Sequence, residues 1–499
     1  MNDKYETMKD KSILPEVFRR KRTLRPCSLT SLALLCIAGW SSVVQAESVP
    51  RNLPDLSHPR PVASVNAVST GGANIDLVRA YESMLLNNPK TLAAKVARDA
   101  GLNEEDIARA ALLPKVSINY MRNRTDRSER LEQASLVGQD DTIDDRFFGK
   151  RTSLNVEQVL FDYSAISTYR MGKLRAEHAE VEYRLQLQQQ AISLIDAYLN
   201  AVLARDLLEL TRHQLRTYQN TLHDNETVFA QGEGTRVDIL ETRSRLGTIR
   251  AQLVDYENGL ADALKELSML LGEEIQASQL MSIDLYSEQL PLQGVDKQTL
   301  LDDALTQNPE IQVARLAVSY SELSIEREKG QFMPRLSLFA TQDRVDSDNI
   351  NNSGRDYHSR TIGLQVSIPL FSGGSSYYAK QQAHSQLERA GYDLQDKSNG
   401  IEYLVEKYYR TCTTSMQRIH MLRQSATDGS DLVAALRKSV IGGERTNSDV
   451  LDAENQTYQA RRDLLRAVIE LFQAYPKVQF YAGRFSEDDV LALNRRMLF

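Results

Sequence analysis

Two aspartates near the C-terminal end of the chain have a spacing that could serve a function. Asp449 and Asp452 are three positions apart, so a helix would place both carboxylates on one face. A face of this kind raises the local concentration of cations and repels anions. The same spacing also suits an ordinary solvated acidic face, and both interpretations stay open at this point.

Two similar phrases in the sequence each contain a glycine six residues before an aspartate. Gly232 precedes Asp238, and Gly443 precedes Asp449. Each phrase follows a long stretch without proline, so we predict that each glycine adopts the left-handed conformation that ends one helix and lets the chain reverse into the next. A plain helix stop and restart is the alternative interpretation for Gly232, Asp238 and Glu241.

The sequence contains no recognisable enzyme motif. Its seven histidines form no His-Glu-x-x-His pattern, and neither Gly-Lys pair, at 149/150 or 172/173, is followed by the Ser or Thr of a phosphate-binding loop. A Gly-x-Ser-x-Gly motif is also absent. We therefore expect no enzyme activity and no cofactor. The formal net charge of -7 argues against nucleic acid as a partner.

The first 73 residues lack the pattern of a folded domain. Basic residues precede an apolar run from Leu29 to Gly39, and Val44-Gln45-Ala46 has the small-x-small ending that signal peptidase cuts. Residues 1–46 are therefore predicted to be a signal peptide. An uncleaved anchor is disfavoured because the run is shorter than the roughly 20 residues of a spanning helix. Residues 47–73, which contain several prolines, are predicted to be a flexible tail.

From residue 74 onward the chain repeats itself. Asn-Pro pairs at 88/89 and 308/309, two proline-led strand starts and the two glycine phrases recur in the same order. They predict a first repeat at 74–297 and a second repeat at 298–478. The remaining residues, 479–499, form a separate C-terminal segment in this division.

Each repeat contains two segments in which apolar and polar residues alternate, as in a β-strand. These segments are predicted at 115–124, 151–161, 335–344 and 361–371. A strand of about 10 residues can cross a bilayer when it is tilted. A small soluble sheet with one face on a core is the alternative. The connections 125–150 and 343–360 are predicted to be surface loops.

Very long helices are predicted between the strand pairs. The stretches Asp162–Gln231 and Ser372–Ile441 contain no proline and far exceed the roughly 11 to 12 residues of an average helix. Their apolar residues recur at threes and fours, which is typical of coiled helices. Shorter helices are predicted at Pro89–Leu113, Thr235–Leu271, Pro309–Phe332 and Asn447–Tyr475. Four strands cannot close a barrel and lipid does not tolerate open sheet edges, so several chains must share one barrel.

Taken together, these features resemble the TolC-like outer-membrane factors of Gram-negative export systems. The similarity rests on the Asn-Pro helix starts, LLPKV and FMPRL before strands, SIPLFSGG between strand and helix, the repeated Gly-x5-Asp-[Ile/Val]-Leu, and AGRFSEDDVLALN near the C-terminus. It implies a mainly α fold with a transmembrane β-barrel. Three copies of four strands would give a homotrimer with a 12-stranded barrel, continuous with an α-helical periplasmic tunnel. Residues Glu273–Asp296 and 479–499 are candidates for an equatorial layer.

The resemblance also implies a function. The protein would be a passive exit duct for type I protein secretion, multidrug efflux or both, located in the outer membrane and extending into the periplasm. Its implied partners are outer-membrane lipid, a periplasmic adaptor protein and an inner-membrane ABC or RND-type transporter that supplies the energy. The alternative is a periplasmic coiled-coil adaptor or scaffold without a pore.

Individual residues acquire expected roles from the same resemblance. Asp449 and Asp452 match two aspartates that ring the periplasmic constriction of the family, and Arg445 matches a basic residue that ties the closed gate. Val440 stands near the position of a gate tyrosine in the family prototype, so the closing hydrogen bonds are expected to differ.

The two glycine phrases become the turns at the periplasmic tip. In this interpretation Gly232, Asp238 and Gly443 are expected to form the tip turns and to contact the adaptor.

Overall fold

The computed structural model describes residues 74–131, 141–283, 296–347 and 355–498. The predicted signal peptide and the proline-containing tail lie outside these residues. So do residues 132–140 and 348–354 of the two predicted loops, and residues 284–295 of the candidate equatorial segment.

The described elements form two similar halves, in which helices precede and follow a pair of strands. The first half contains α1 (Leu77–Asn87), α2 (Pro89–Arg109), β1 (Lys115–Leu131), β2 (Asp141–Phe161), α3 (Tyr163–Ala230) and α4 (Arg236–Leu271). The second half contains α5 (Lys297–Gln307), α6 (Pro309–Gly330), β3 (Arg335–Ser347), β4 (Arg355–Ser367), α7 (Ser375–Ile441) and α8 (Asn447–Tyr481), followed by α9 (Glu487–Leu498). None of these described helices is long and apolar enough to span a membrane.

The four strands form one antiparallel sheet in the order β1-β2-β3-β4. The mostly helical fold with a small sheet is therefore confirmed. Strand β4 ends at Ser367 rather than at the predicted Phe371. The reason is that Pro369 has no N–H to donate to a ladder, and β3 offers no partner beyond Arg335.

The strands extend further into the predicted loops than expected. Thr125 pairs with Phe147, and Asp343 pairs with Ser359, although both pairs lie within segments that were predicted to be loops. The alternation of apolar residues marked only the part of each strand that has an apolar face. Backbone hydrogen bonds between strands do not need that alternation, so the ladder continues through polar residues.

The two very long helices are confirmed. Helix α3 has 68 residues and α7 has 67, so each is about 100 Å long at about 1.5 Å per residue. Asp162 caps α3, since its carboxylate accepts the N–H groups of Ser164 and Ala165 at 2.9 and 3.1 Å. Proline is absent from both helices, as their length requires.

Helix α8 continues six residues beyond its predicted end at Tyr475, to Tyr481. The prediction stopped there because the next residue is Pro476, and a proline inside a helix costs about 3 kcal/mol. Pro476 and its neighbours are buried in the structure, so packing outweighs that cost. As a consequence, the predicted boundary between residues 478 and 479 falls inside this helix.

The two Asn-Pro helix starts are capped in the same way. The Asn88 carboxamide caps α2 through its oxygen, and its Nδ2 donates to the carbonyl of Leu270 at 2.9 Å. Asn308 likewise caps α6, and its Nδ2 donates to the carbonyl of Tyr481 at 2.9 Å. Each asparagine therefore joins the start of one helix to the end of another, in both halves.

The main core surrounds the middle of α3. The Tyr198 hydroxyl donates to the carbonyl of Ile75 at 2.8 Å, and the N–H of Ile75 donates to the carbonyl of Gln279 at 2.7 Å. From α9, Asn494 accepts the N–H of Leu77 at 3.1 Å. The described parts of the two candidate equatorial segments thus meet the start of the folded chain at one level of α3.

Candidate functional site at the helix turns

Both predicted turn glycines have the left-handed conformation, which confirms their expected backbone geometry. The φ angle is 84° at Gly232 and 77° at Gly443. In each turn the residue after the glycine donates its N–H back to the preceding helix. These hydrogen bonds join Glu233 to Val228 at 3.1 Å and Glu444 to Ser439 at 3.0 Å. A side chain would meet no atom within 4 Å at either glycine, so only the backbone angle requires this residue.

A capping box starts the helix after each turn. Thr235 accepts the N–H of Asp238, and the carboxylate of Asp238 accepts the N–H of Thr235. The second turn repeats this arrangement with Thr446 and Asp449, where the carboxylate accepts the Thr446 N–H at 3.0 Å and the hydroxyl at 2.9 Å. The repeated glycine-to-aspartate spacing therefore encodes one helix end followed by one capped helix start.

The capping hydrogen bonds affect the acidity of Asp449. The backbone N–H and the hydroxyl of Thr446 both bind the charged carboxylate, and they lower the pKa of Asp449 below its ordinary value. The aspartate is therefore ionised at neutral pH.

Asp452 takes part in a contact between the two halves of the chain. Arg245, on α4, donates to the carboxylates of Asp452 at 2.7 Å and of Glu241 at 2.6 Å. The hydroxyl of Ser448 donates to Glu241 at 3.0 Å. We call these four residues, Glu241, Arg245, Ser448 and Asp452, the cross-hairpin cluster, because they join α4 of the first helical hairpin to α8 of the second.

The charge on Arg245 is stable. Burial disfavours the charged guanidinium, but the hydrogen bonds to Asp452 and Glu241 outweigh that effect and raise the pKa of Arg245. The guanidinium therefore stays charged at any physiological pH. Asp452 itself is 61% exposed, so this contact lies at the surface of the protomer.

Arg445 does not form the contact expected of it within one protomer. Its side chain is exposed, and it has no hydrogen bond or ion pair with any described residue. Its charge interacts electrostatically with that of Asp449. Val440, which is expected to stand near the position of a gate tyrosine in the family prototype, has no side-chain donor. Its carbonyl accepts the N–H of Gly443 in the turn at 3.0 Å.

Sequence reasoning missed Arg245 as a functional candidate. Two signals could have found it. Glu241 and Arg245 are four residues apart on a helix, which favours an ion pair. In addition, the repeat makes Glu241 equivalent to Asp452, so a cation beside one acid was a candidate partner for the other.

Two further contacts support the turn region. The Tyr218 hydroxyl on α3 donates to the carbonyl of Leu451 at 3.1 Å, and burial raises the pKa of Tyr218 to about 12, so it remains a donor. Between α7 and α8, Arg437 donates to Glu454 at 2.5 Å. No cluster of His, Cys, Asp or Glu among the described residues could hold a metal ion.

The chain matches a protein family over most of its length. The family is described as outer membrane efflux protein, and its model matches residues 80–273 and 300–484. The two matched segments correspond closely to the two halves of the fold.

Similar proteins with curated names point in the same direction. The alkaline protease secretion protein AprF of Pseudomonas aeruginosa is 33% identical over 417 residues, which are 83% of this chain and 86% of AprF. The proteases secretion protein PrtF of Dickeya chrysanthemi is 30% identical over 438 residues, covering 86% of this chain and 93% of PrtF. The crystal structure of the Campylobacter jejuni CmeC outer membrane channel superposes with a TM-score of 0.70 at 16% identity, over 85% of this chain and 90% of CmeC.

Proposed function

This chain belongs to the outer membrane efflux protein family, and from that premise we propose that it is the exit duct of a type I protein secretion system. It is an outer-membrane channel protein that extends into the periplasm. The secretion of proteins, rather than of small molecules alone, is favoured by the similarity to AprF and PrtF, which are named for protease secretion. A periplasmic scaffold without a pore has no support among these relatives.

We propose that three copies form one 12-stranded barrel continuous with a helical tunnel. Within one protomer, β1 and β4 each pair on only one side among the described strands. Both edge strands also present exposed apolar side chains, including Ile118 and Leu364. An open edge with an apolar face is not stable in lipid, and closure with further copies removes it.

The proposed partners follow from the family to which the chain belongs. A passive duct needs an inner-membrane ABC or RND-type transporter and a periplasmic adaptor that links the two. We propose that the turns at Gly232 and Gly443, with Asp238 in the first capping box, form the end of the duct that the adaptor contacts.

The observation that carries the gate proposal is the cross-hairpin cluster. It places an arginine contact between the two helical hairpins in the same short region as Asp449 and Asp452. We propose that this region is the periplasmic constriction. In a trimer, six carboxylates from Asp449 and Asp452 would surround the axis, draw cations in and repel anions. Arg445 is exposed, so it remains available for a contact with a neighbouring protomer.

Ion selectivity in planar bilayers tests this proposal. We expect the double variant Asp449→Asn/Asp452→Asn to assemble normally, to lose much of its cation selectivity and to be blocked less by multivalent cations. Asp463→Asn is the matched control, because this exposed carboxylate lies further along the same helix. A double variant with the selectivity of the wild type would place the carboxylates on a solvated face instead.

A further inference from the structure

The register of the sheet separates two faces with different chemistry. Cross-strand partners share a face, so Ile118 lies on the same face as Leu154, and Ala340 on the same face as Ile362. We call this the apolar face. Its apolar residues near the helices are Val116, Ile118, Leu154, Val156, Leu336, Leu338, Ala340, Ile362, Leu364 and Val366. The other face carries neutral polar residues at the same level, among them Ser117, Asn155 and Gln365.

Further from the helices, the apolar face becomes basic. Tyr120 lies next to the apolar residues and Phe148 lies among the basic ones, and both are exposed. We define the cationic belt as six basic residues of this face: Arg122, Arg124, Arg146, Lys150, Arg344 and Arg360. Three aspartates share the region, Asp126, Asp346 and Asp356. The belt therefore has an excess of positive charge.

Basic residues lie opposite each other on neighbouring strands of the belt, which is unfavourable unless an anion is bound between them. Arg122 lies directly opposite Lys150, and like charges at directly opposed positions destabilise a sheet. Lys150 is 3.8 Å from the carboxylate of Asp346, which is a long contact. Arg122, Arg344 and Arg360 have no carboxylate partner among the described residues; Arg122 lies over the ring of Phe148, 6.0 Å from its centroid.

The opposite face provides an internal comparison. On that face Arg151, whose side chain the structure describes, is paired with Asp343 at 3.1 Å. Among the described side chains of this region, the unpaired cations therefore lie on the face that continues from the apolar band. In a sheet that crosses a membrane, this is the position where lipid headgroups begin.

We propose that the cationic belt binds the phosphate groups of a phosphorylated lipid at the outer surface of the membrane. The proposal rests on the proposed insertion of the sheet into the outer membrane. Guanidinium groups bind phosphate oxygens through paired charge-assisted hydrogen bonds. The adjoining aromatic and apolar residues contact the acyl chains of the same lipid, which favours a lipid headgroup over free phosphate as the occupant.

Lipid binding to the purified trimer in detergent, measured by native mass spectrometry, tests the proposal. The probes are bisphosphorylated lipid A, the same lipid without its phosphates, and inorganic pyrophosphate. The wild type is expected to retain the phosphorylated lipid in preference to both other probes. The variant Arg122→Gln/Arg344→Gln should bind it at least about tenfold more weakly, because it removes two of the guanidinium groups that bind phosphate oxygens.

The matched control is Lys115→Gln/Arg151→Gln, which removes two cations from the opposite face. It should bind the phosphorylated lipid as the wild type does. Equal retention of phosphorylated and dephosphorylated lipid by the wild type, or full competition by pyrophosphate, would overturn the proposal.

Fractionation of wild-type cells separates this result from a failure of the proposed function. Protein found in the outer membrane without a phosphate preference refutes only the lipid site, whereas protein absent from that membrane refutes the insertion itself.

Discussion

The two helical hairpins share their turn geometry but differ in the placement of their charges. Both turns use a left-handed glycine, a threonine cap and an aspartate in the capping box. At equivalent positions, Glu226 pairs with Arg243 in the first hairpin at 3.0 Å, whereas Arg437 pairs with Glu454 in the second. The acid and the base have exchanged places. The turn glycine and the capping box are therefore retained in both repeats, while the charged residues around them have diverged.

A second difference concerns Arg245. The equivalent residue in the second hairpin is Gln456, so only the first hairpin supplies this cation. Its two acceptors, Glu241 and Asp452, are themselves equivalent positions of the repeat. One arginine thus binds both copies of a repeated acid. In two identical hairpins, each hairpin would instead supply one arginine.

The largest difference in stability between the hairpins is expected at the exchanged ion pair. Glu454 is 4% exposed and its Oε2 has no hydrogen-bond partner among the described residues, whereas both members of the Glu226–Arg243 pair are largely exposed. Arg437→Ala leaves a buried carboxylate without its cation, and we expect a loss of about 2 kcal/mol in the local opening free energy of α7 and α8. Amide hydrogen exchange of the hairpin peptides measures this quantity.

Glu226→Ala is the matched variant in the first hairpin, and it should cost less than about 1 kcal/mol. Equal costs in the two hairpins would show that the burial of Glu454 does not distinguish them.

The threonine caps should give a smaller and similar effect in both hairpins. We expect Thr235→Ala and Thr446→Ala each to cost about 1 kcal/mol of local opening free energy by the same measurement. A clearly unequal cost would contradict the similarity of the two turns.

The second cap also predicts a pH dependence. Because the folded-state pKa of Asp449 is lowered, its contribution is complete above about pH 4 and is lost as the pH falls through the folded value. The opening free energy at the second turn, obtained from exchange rates corrected for the intrinsic rate at each pH, should therefore fall below that pH. In Thr446→Ala the total fall should be smaller, because one hydrogen bond to the carboxylate is lost and the folded-state pKa moves back toward its ordinary value. A fall of the same size in both proteins would indicate that the hydroxyl has no part in the shift.

Much of this fold could be predicted from the sequence because its signals are local. Absence of proline across α3 and α7, the alternation in the strands and the Gly-to-Asp spacing at the turns each specify structure over a short range. Predictions failed where a short-range rule was overruled by packing or by backbone pairing. Pro476 lies inside α8 because its surroundings are buried, and β1 and β2 extend beyond their apolar residues because the ladder continues.

The candidate site was only partly predictable for the same reason. Asp449 and Asp452 were found from their spacing on one helix. Arg245 lies 207 residues away in sequence from Asp452, so their contact depends on how the two hairpins pack. Arg445 was assigned by resemblance alone, and its proposed role needs a neighbouring protomer that one chain does not contain.

Single-channel conductance of Arg245→Gln tests the central claim, that the contact between the hairpins holds a gate closed. The substitution gives the first hairpin the residue found at the equivalent position of the second. We expect a higher conductance and a stronger cation selectivity, because the tie to Asp452 is lost and two carboxylates are released. Arg243→Gln is the control, since this arginine pairs with Glu226 within its own hairpin, and its conductance should equal that of the wild type. An assembled Arg245→Gln trimer with wild-type conductance and selectivity would contradict the account.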